Sequence, residues 1–192
     1  MTAYALTDSA TMLRRNLKRM QRYPSLTVLI TGTPVVLLLL FVYVFGGTLG
    51  SGLPGAPAGS SSRGAYADYL APGMLLFTIA GAAQSTTIAV AIDMTEGIIA
   101  RFRTMAIWRP AVLAGHVVAS LIQNWLSLLA VLAVALLVGF RPHADALGWL
   151  AAAGLVTLVA LALTWLSVAL GLVSKTVESA SNLPMFLMLL PF

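Results

Sequence analysis

Four stretches of the chain run with almost no polar interruption: Leu26 to Phe45, Leu70 to Ile92, Ala111 to Phe140 and Ala146 to Ser174. None carries a Lys, Arg, Asp or Glu, and the shortest has twenty residues. A helix needs about 20 apolar residues to cross about 30 Å of hydrocarbon, and only helices or closed barrels satisfy their backbone there. The runs are continuous and rich in Leu, Ala and Val, whereas barrel strands would alternate, so the pattern predicts four helical spans. A fifth apolar run, Leu183 to Phe192, has ten residues, about half of what a span requires, and reads as the start of span five in a C-terminally incomplete chain. The expected fold is an all-α integral membrane protein. It is a polytopic helical bundle forming a single transmembrane domain over residues 1–192.

Composition agrees, because 59% of residues are hydrophobic and 9% charged, whereas soluble domains carry about a quarter of charged residues. The few charges are placed asymmetrically. Arg14, Arg15, Lys18, Arg19 and Arg22 precede span one, Arg101, Arg103 and Arg109 lie between spans two and three, and Lys175 follows span four. Only Arg63 and Arg141 fall in the alternate loops. That distribution predicts a cytoplasmic N-terminus and a cytoplasmic segment between spans two and three. The basic residues abut a span and belong to no nucleic-acid module, so no nucleic-acid partner is expected.

Within residues 1–24, Leu13, Leu17 and Met20 recur at helical spacing among the basic residues. This predicts an amphipathic helix in the headgroup layer, serving either as an anchor on anionic lipid or as a docking element for a cytoplasmic partner. The loop from Gly46 to Ala67 is rich in Gly, Ser and Pro and has little to bury. Cysteine is absent, and His116 and His143 are too far apart for a local ligand pair, so no metal site is expected.

Enzyme motifs are missing too. The string Gly171-Leu-Val-Ser-Lys-Thr176 has Ser174 where a P-loop needs its second Gly and follows no strand, and neither GxSxG nor HExxH occurs. With no carboxylate inside the spans as bounded above, His116 is the sole intramembrane ionisable candidate, which argues against a proton-coupled carrier.

Polar residues in the spans form two groups. His116, Ser120, Gln123, Asn124 and Ser127 fall on one stripe of span three, and span two contributes Gln84, Ser85, Thr86 and Thr87. These either hydrogen-bond between helices or line a substrate path or dimer face, with Gln84, Thr87, Ser120, Gln123 and Asn124 as the candidate path residues. In span four Ala153, Thr157, Ala160, Thr164, Ser167 and Gly171 repeat at intervals of four and three, a small-residue seam for close helix packing.

The segment Asp93 to Pro110 holds five charged residues between two spans. Asp93 with Glu96 reads as a capping box, Ile98, Ile99, Phe102 and Met105 make one apolar face, and Pro110 enforces a stop. A surface helix of about 22 Å follows, which is either an interfacial connector or a lever for something in the water phase.

Three strings carry a family resemblance: Tyr66-Ala-Asp-Tyr-Leu-Ala-Pro-Gly73, Glu96-Gly-Ile-Ile-Ala-Arg-Phe-Arg103 and Arg109-Pro-Ala-Val-Leu-Ala-Gly115. In order and spacing the whole chain resembles the membrane subunit of type-2 ATP-binding cassette exporters, and is most similar to the daunorubicin/doxorubicin-resistance permeases of actinobacteria. The resemblance implies a multi-pass permease of the bacterial plasma membrane with six spans per subunit, paired as a homodimer and joined to separate ATPase subunits that carry ATP and Mg²⁺. It implies that Glu96 through Trp108 is the coupling helix, with Glu96, Gly97, Ile98, Arg101, Phe102 and Arg103 at the ATPase contact. No cofactor is expected on this chain, and an amphipathic drug or secondary metabolite is the expected substrate. The alternatives are export of polysaccharide or lipid by the same class of permease, or a truncated membrane scaffold that does not transport.

Overall fold

The computed structural model describes residues 11, 13–18, 22, 24–52, 61–97, 110–142, 144–174 and 176–182. Residues 13–18 are helical. Four long helices follow, α1 (Pro24–Leu49), α2 (Ser62–Thr95), α3 (Pro110–Val138) and α4 (Ala146–Val173), and then a short α5 (Val177–Asn182). A 3₁₀ turn at Gly50–Gly52 closes α1, and among the described residues there is no strand. Each of α1 to α4 is long and apolar enough to cross a membrane. The chain is a polytopic all-α membrane protein, as its hydropathy predicts.

The helix ends have local causes. Ser61 caps α2 by accepting from Gly64 N at 3.2 Å, and Asp145 caps α4 by accepting from Gly148 N at 2.8 Å. Pro110, expected as a stop, occupies the first position of α3, where its missing N–H has no intrahelical role. Gly97 ends α2 with φ +69°, the left-handed conformation that glycine adopts without strain.

Helix α2 differs most from the hydropathy reading. Its 34 residues make a rod of about 51 Å, well beyond about 30 Å of hydrocarbon, and it takes in the last residues of the expected Gly46–Ala67 loop and the first residues of the expected Asp93–Pro110 surface helix. At its start, Ala65, Tyr66 and Ala67 are buried, while the charged neighbours are accommodated at the surface. Asp68 Oδ1 accepts from Arg141 N at 2.8 Å, and the Arg63 guanidinium lies 5.7 Å from the Tyr43 ring centroid.

The bundle is built around α2, which packs against α1, α3, α4 and α5. One layer joins Leu38 and Val42 of α1 to Tyr66, Ala67, Ala71 and Met74 of α2 and to Val131 and Ala135 of α3. Deeper layers pair Ile79 with Leu128 and Ala160, and Val90 with Val117 and Val168. The interior is small or polar at many positions, including Ala80, Ala83, Thr86, Thr87, Asn124, Thr164 and Ser167, whereas Leu137, Leu147, Leu150, Leu158 and Val173 face outward. Such an arrangement suits lipid, which gives no hydrophobic drive between helices and leaves close packing and hydrogen bonds to hold them.

One of those bonds links α1 to α3, where Thr31 Oγ1 and Ser127 Oγ lie 2.7 Å apart. Interhelical hydrogen bonds in membranes average about 0.6 kcal/mol, so Ser127→Ala is expected to destabilise the chain by no more than about 1.7 kcal/mol. Thermal unfolding in detergent checks this, and a loss of folding would assign Ser127 a larger role.

Candidate functional site

The polar stripe of α3 reaches neighbouring helices at successive depths. Ser127 meets Thr31 of α1, Ser120 Oγ lies 2.7 Å from Thr86 Oγ1 of α2, and His116 Nε2 lies 3.0 Å from Asp93 Oδ2 near the end of α2. Thr86 also returns a bond to Ala82 O of its own helix, and Thr87 does the same to Ala83 O at 3.3 Å, so neither hydroxyl is stranded. On another face of α2, Gln84 Nε2 donates to Ser181 O of α5 at 3.0 Å. Of the candidate path residues, Thr87 and Asn124 are fully buried, and Gln84, Ser120 and Gln123 are half-buried.

Asn124 lies between the Leu128 and Val117 layers of α3, and Thr164 and Ser167 lie between the Ala160 and Val168 layers of α4. The Asn124 amide and the Thr164 and Ser167 hydroxyls have no hydrogen-bond partner among the described residues. The span-four seam is buried from Ala160 through Thr164, Ser167 and Gly171, while Ala153 and Thr157 are half-buried. At Gly171 α4 comes so close to α2 that an added β-carbon would lie 2.8 Å from Thr87 O and from Val90 Cβ.

A charged cluster closes the basic end of the bundle, where α2 and α4 finish and α3 begins. Asp93 sits two residues before the end of α2 and is only 2% exposed. Its Oδ2 accepts from Arg15 Nη2 of the helical segment 13–18 and lies within hydrogen-bond reach of His116 Nε2 of α3. His116 is buried too, and about a third of the Arg15 side chain is exposed. One carboxylate oxygen thus joins three elements that are far apart in sequence. The neighbouring Asn16 is buried, whereas Leu13 and Leu17, the expected lipid-facing stripe, are only half-buried.

Residues 8–192 match the ABC-2 type transporter family. The chain belongs to the ABC-2 family. It is similar to the daunorubicin resistance ABC transporter permease protein DrrB1 of Streptomyces coeruleorubidus, with 27% identity over 186 residues. That alignment covers 97% of this chain and 62% of the relative, so the chain spans about three-fifths of the relative's length. No solved structure matches it. ABC-2 chains are the transmembrane components of their transporters, ATP hydrolysis falling to a separate subunit, and this one is a multi-pass protein of the bacterial plasma membrane.

Most of the expected ATPase contact of this ABC-2 chain lies outside the described residues. Glu96 and Gly97 form the turn that closes α2, with Glu96 N donating to Ile92 O at 2.9 Å and Gly97 N to Met94 O at 3.2 Å. Ile98, Arg101, Phe102 and Arg103 lie outside the described residues, as does the expected start of span five at 183–192. Asp93 is not the N-cap of a following helix. It belongs to the last turns of α2, because Arg15 and His116 satisfy its carboxylate there and Gly97 supplies the stop. Asp93 thus stands on the helix that carries span two, one residue past the expected Leu70–Ile92 run. A usable signal was present, since Asp93 and His116 stand near the facing ends of two spans joined by one short segment and so share a depth.

Proposed function

We propose that this ABC-2 chain is the membrane-spanning permease subunit of an ATP-driven exporter of amphipathic drugs or secondary metabolites. The observation that carries this reading is the family match over residues 8–192, joined by similarity to a permease named for daunorubicin resistance along 97% of the chain. The basic end faces the cytoplasm, because nine of the eleven Lys and Arg residues precede span one, follow span four or lie between spans two and three. The segment from Glu96 through Trp108 docks there on a separate ATPase subunit that holds ATP and Mg²⁺. Nucleotide binding favours one arrangement of the ATPases, and that preference shifts the permease between inward-open and outward-open forms. Two copies of the chain surround the path of the drug.

Co-expression of the chain with its ATPase in a drug-sensitive bacterium tests the proposal. Daunorubicin accumulation is expected to fall with an active ATPase and to stay high with a hydrolysis-dead one, and equal accumulation in the two cases would overturn it. In the same cells Arg101→Glu is expected to reach the membrane at normal abundance while losing up to about a hundredfold of the efflux rate, the scale on which misplacing a contact remote from the chemistry acts. Efflux that persists unchanged removes Arg101 from the coupling contact.

A further inference from the structure

We propose that Asp93 is a positioning residue that clamps the helical segment 13–18 to both flanks of the 98–109 connection. Asp93 stands four residues before the Gly97 turn that ends α2, and His116 stands six residues after Pro110, where α3 begins. The connection between α2 and α3 is therefore fastened at both ends by one carboxylate, and Arg15 brings the N-terminal segment to the same oxygen. Asp93 and His116 are buried, so water does not compete with the bonds between them, and charge-assisted hydrogen bonds in such surroundings fix geometry closely. Asn16, next to Arg15 in sequence, is buried as well.

The consequence rests on the reading of this chain as a motor-driven permease. A push on the 98–109 connection from an ATPase reaches α2, α3 and the N-terminal segment together, because all three hold one group. With the clamp open, the connection moves while the N-terminal segment stays behind, and ATP is hydrolysed with less drug moved. Asp93 touches neither nucleotide nor drug in this scheme. Its role is to keep the moving parts in register.

Two measurements test it. Hydrogen exchange on the purified chain in lipid nanodiscs should show amides 13–18 exchanging about tenfold faster in Asp93→Asn, an isosteric change that removes the charge and keeps the shape, and near the original rate in Arg15→Lys. With the ATPase present, Asp93→Asn should hydrolyse several times more ATP per drug exported, whereas a purely structural ion pair would lower abundance and leave that ratio alone. Unchanged exchange over 13–18 in Asp93→Asn overturns the clamp. Faster exchange with an unchanged ratio overturns the positioning role. A wild-type complex with no ATP-dependent transport defeats the exporter reading and the transmission role with it, and the exchange result then decides the tie on its own.

Discussion

Replacing Gly171 with valine is expected to destabilise the bundle by about 3 kcal/mol, the upper range for forcing atoms into a packed interior. A β-carbon at this position meets the Thr87 carbonyl oxygen and the Val90 β-carbon at 2.8 Å, and neither is the free end of a flexible side chain. Helix α4 must therefore retreat from α2, which opens the layer that Val168 shares with Val90 and Val117. Gly154 on the same helix provides the control, because a β-carbon there meets nothing within 4 Å. Gly154→Val is expected to change stability by no more than about 0.5 kcal/mol. Thermal melting of both variants in detergent distinguishes a specific close approach from a general intolerance of larger side chains, and equal losses would dismiss the close approach.

Arg15→Ala is expected to cost about 3 kcal/mol, more than Asp93→Asn at about 1 kcal/mol, although both remove the same ion pair. The asymmetry follows from access to water. Arg15 has about a third of its side chain exposed and can turn outward when its partner is neutralised, whereas Asp93 is buried and loses the Arg15 guanidinium from its carboxylate when Arg15 is removed. A buried charge that loses a cationic partner is the more costly remnant. Chemical denaturation of the two variants side by side provides the comparison, and a larger loss in Asp93→Asn would show that the carboxylate is better hydrated than its burial indicates.

The spans are legible in the sequence because the bilayer imposes one requirement on every residue of a long run, so continuous hydropathy suffices to find them. Their ends are less legible. Arg63 and Asp68 lower the hydropathy at the start of α2, but a helix can continue past hydrocarbon wherever its charged residues reach the surface or a partner, as Asp68 does with Arg141 N. At the other end, the Asp93–Glu96 spacing carries a genuine capping signal that competes with continuation of α2. Continuation prevails because Asp93 finds Arg15, 78 residues away in sequence, and no local pattern encodes such a partner. The polar stripe of α3 was visible as a stripe. Which residue it would meet at each depth depends on the register of α1 and α2 against α3, and that register is set by packing of small side chains that carry no periodic signature of their own.

The ties of α2 also bear on how the molecule can move. It is braced to α3 through Thr86 and Ser120 and again through Asp93 and His116, it is held to α5 through Gln84, and it lies against α4 at Gly171 with no space for a methyl group. A rod fixed to its neighbours at several heights does not slide along any one of them without breaking the others. The cheapest displacement is a tilt of the whole assembly, with α2 as its spine. If this chain pairs with a second copy as proposed, a passage between them would run along the outer wall of such a body.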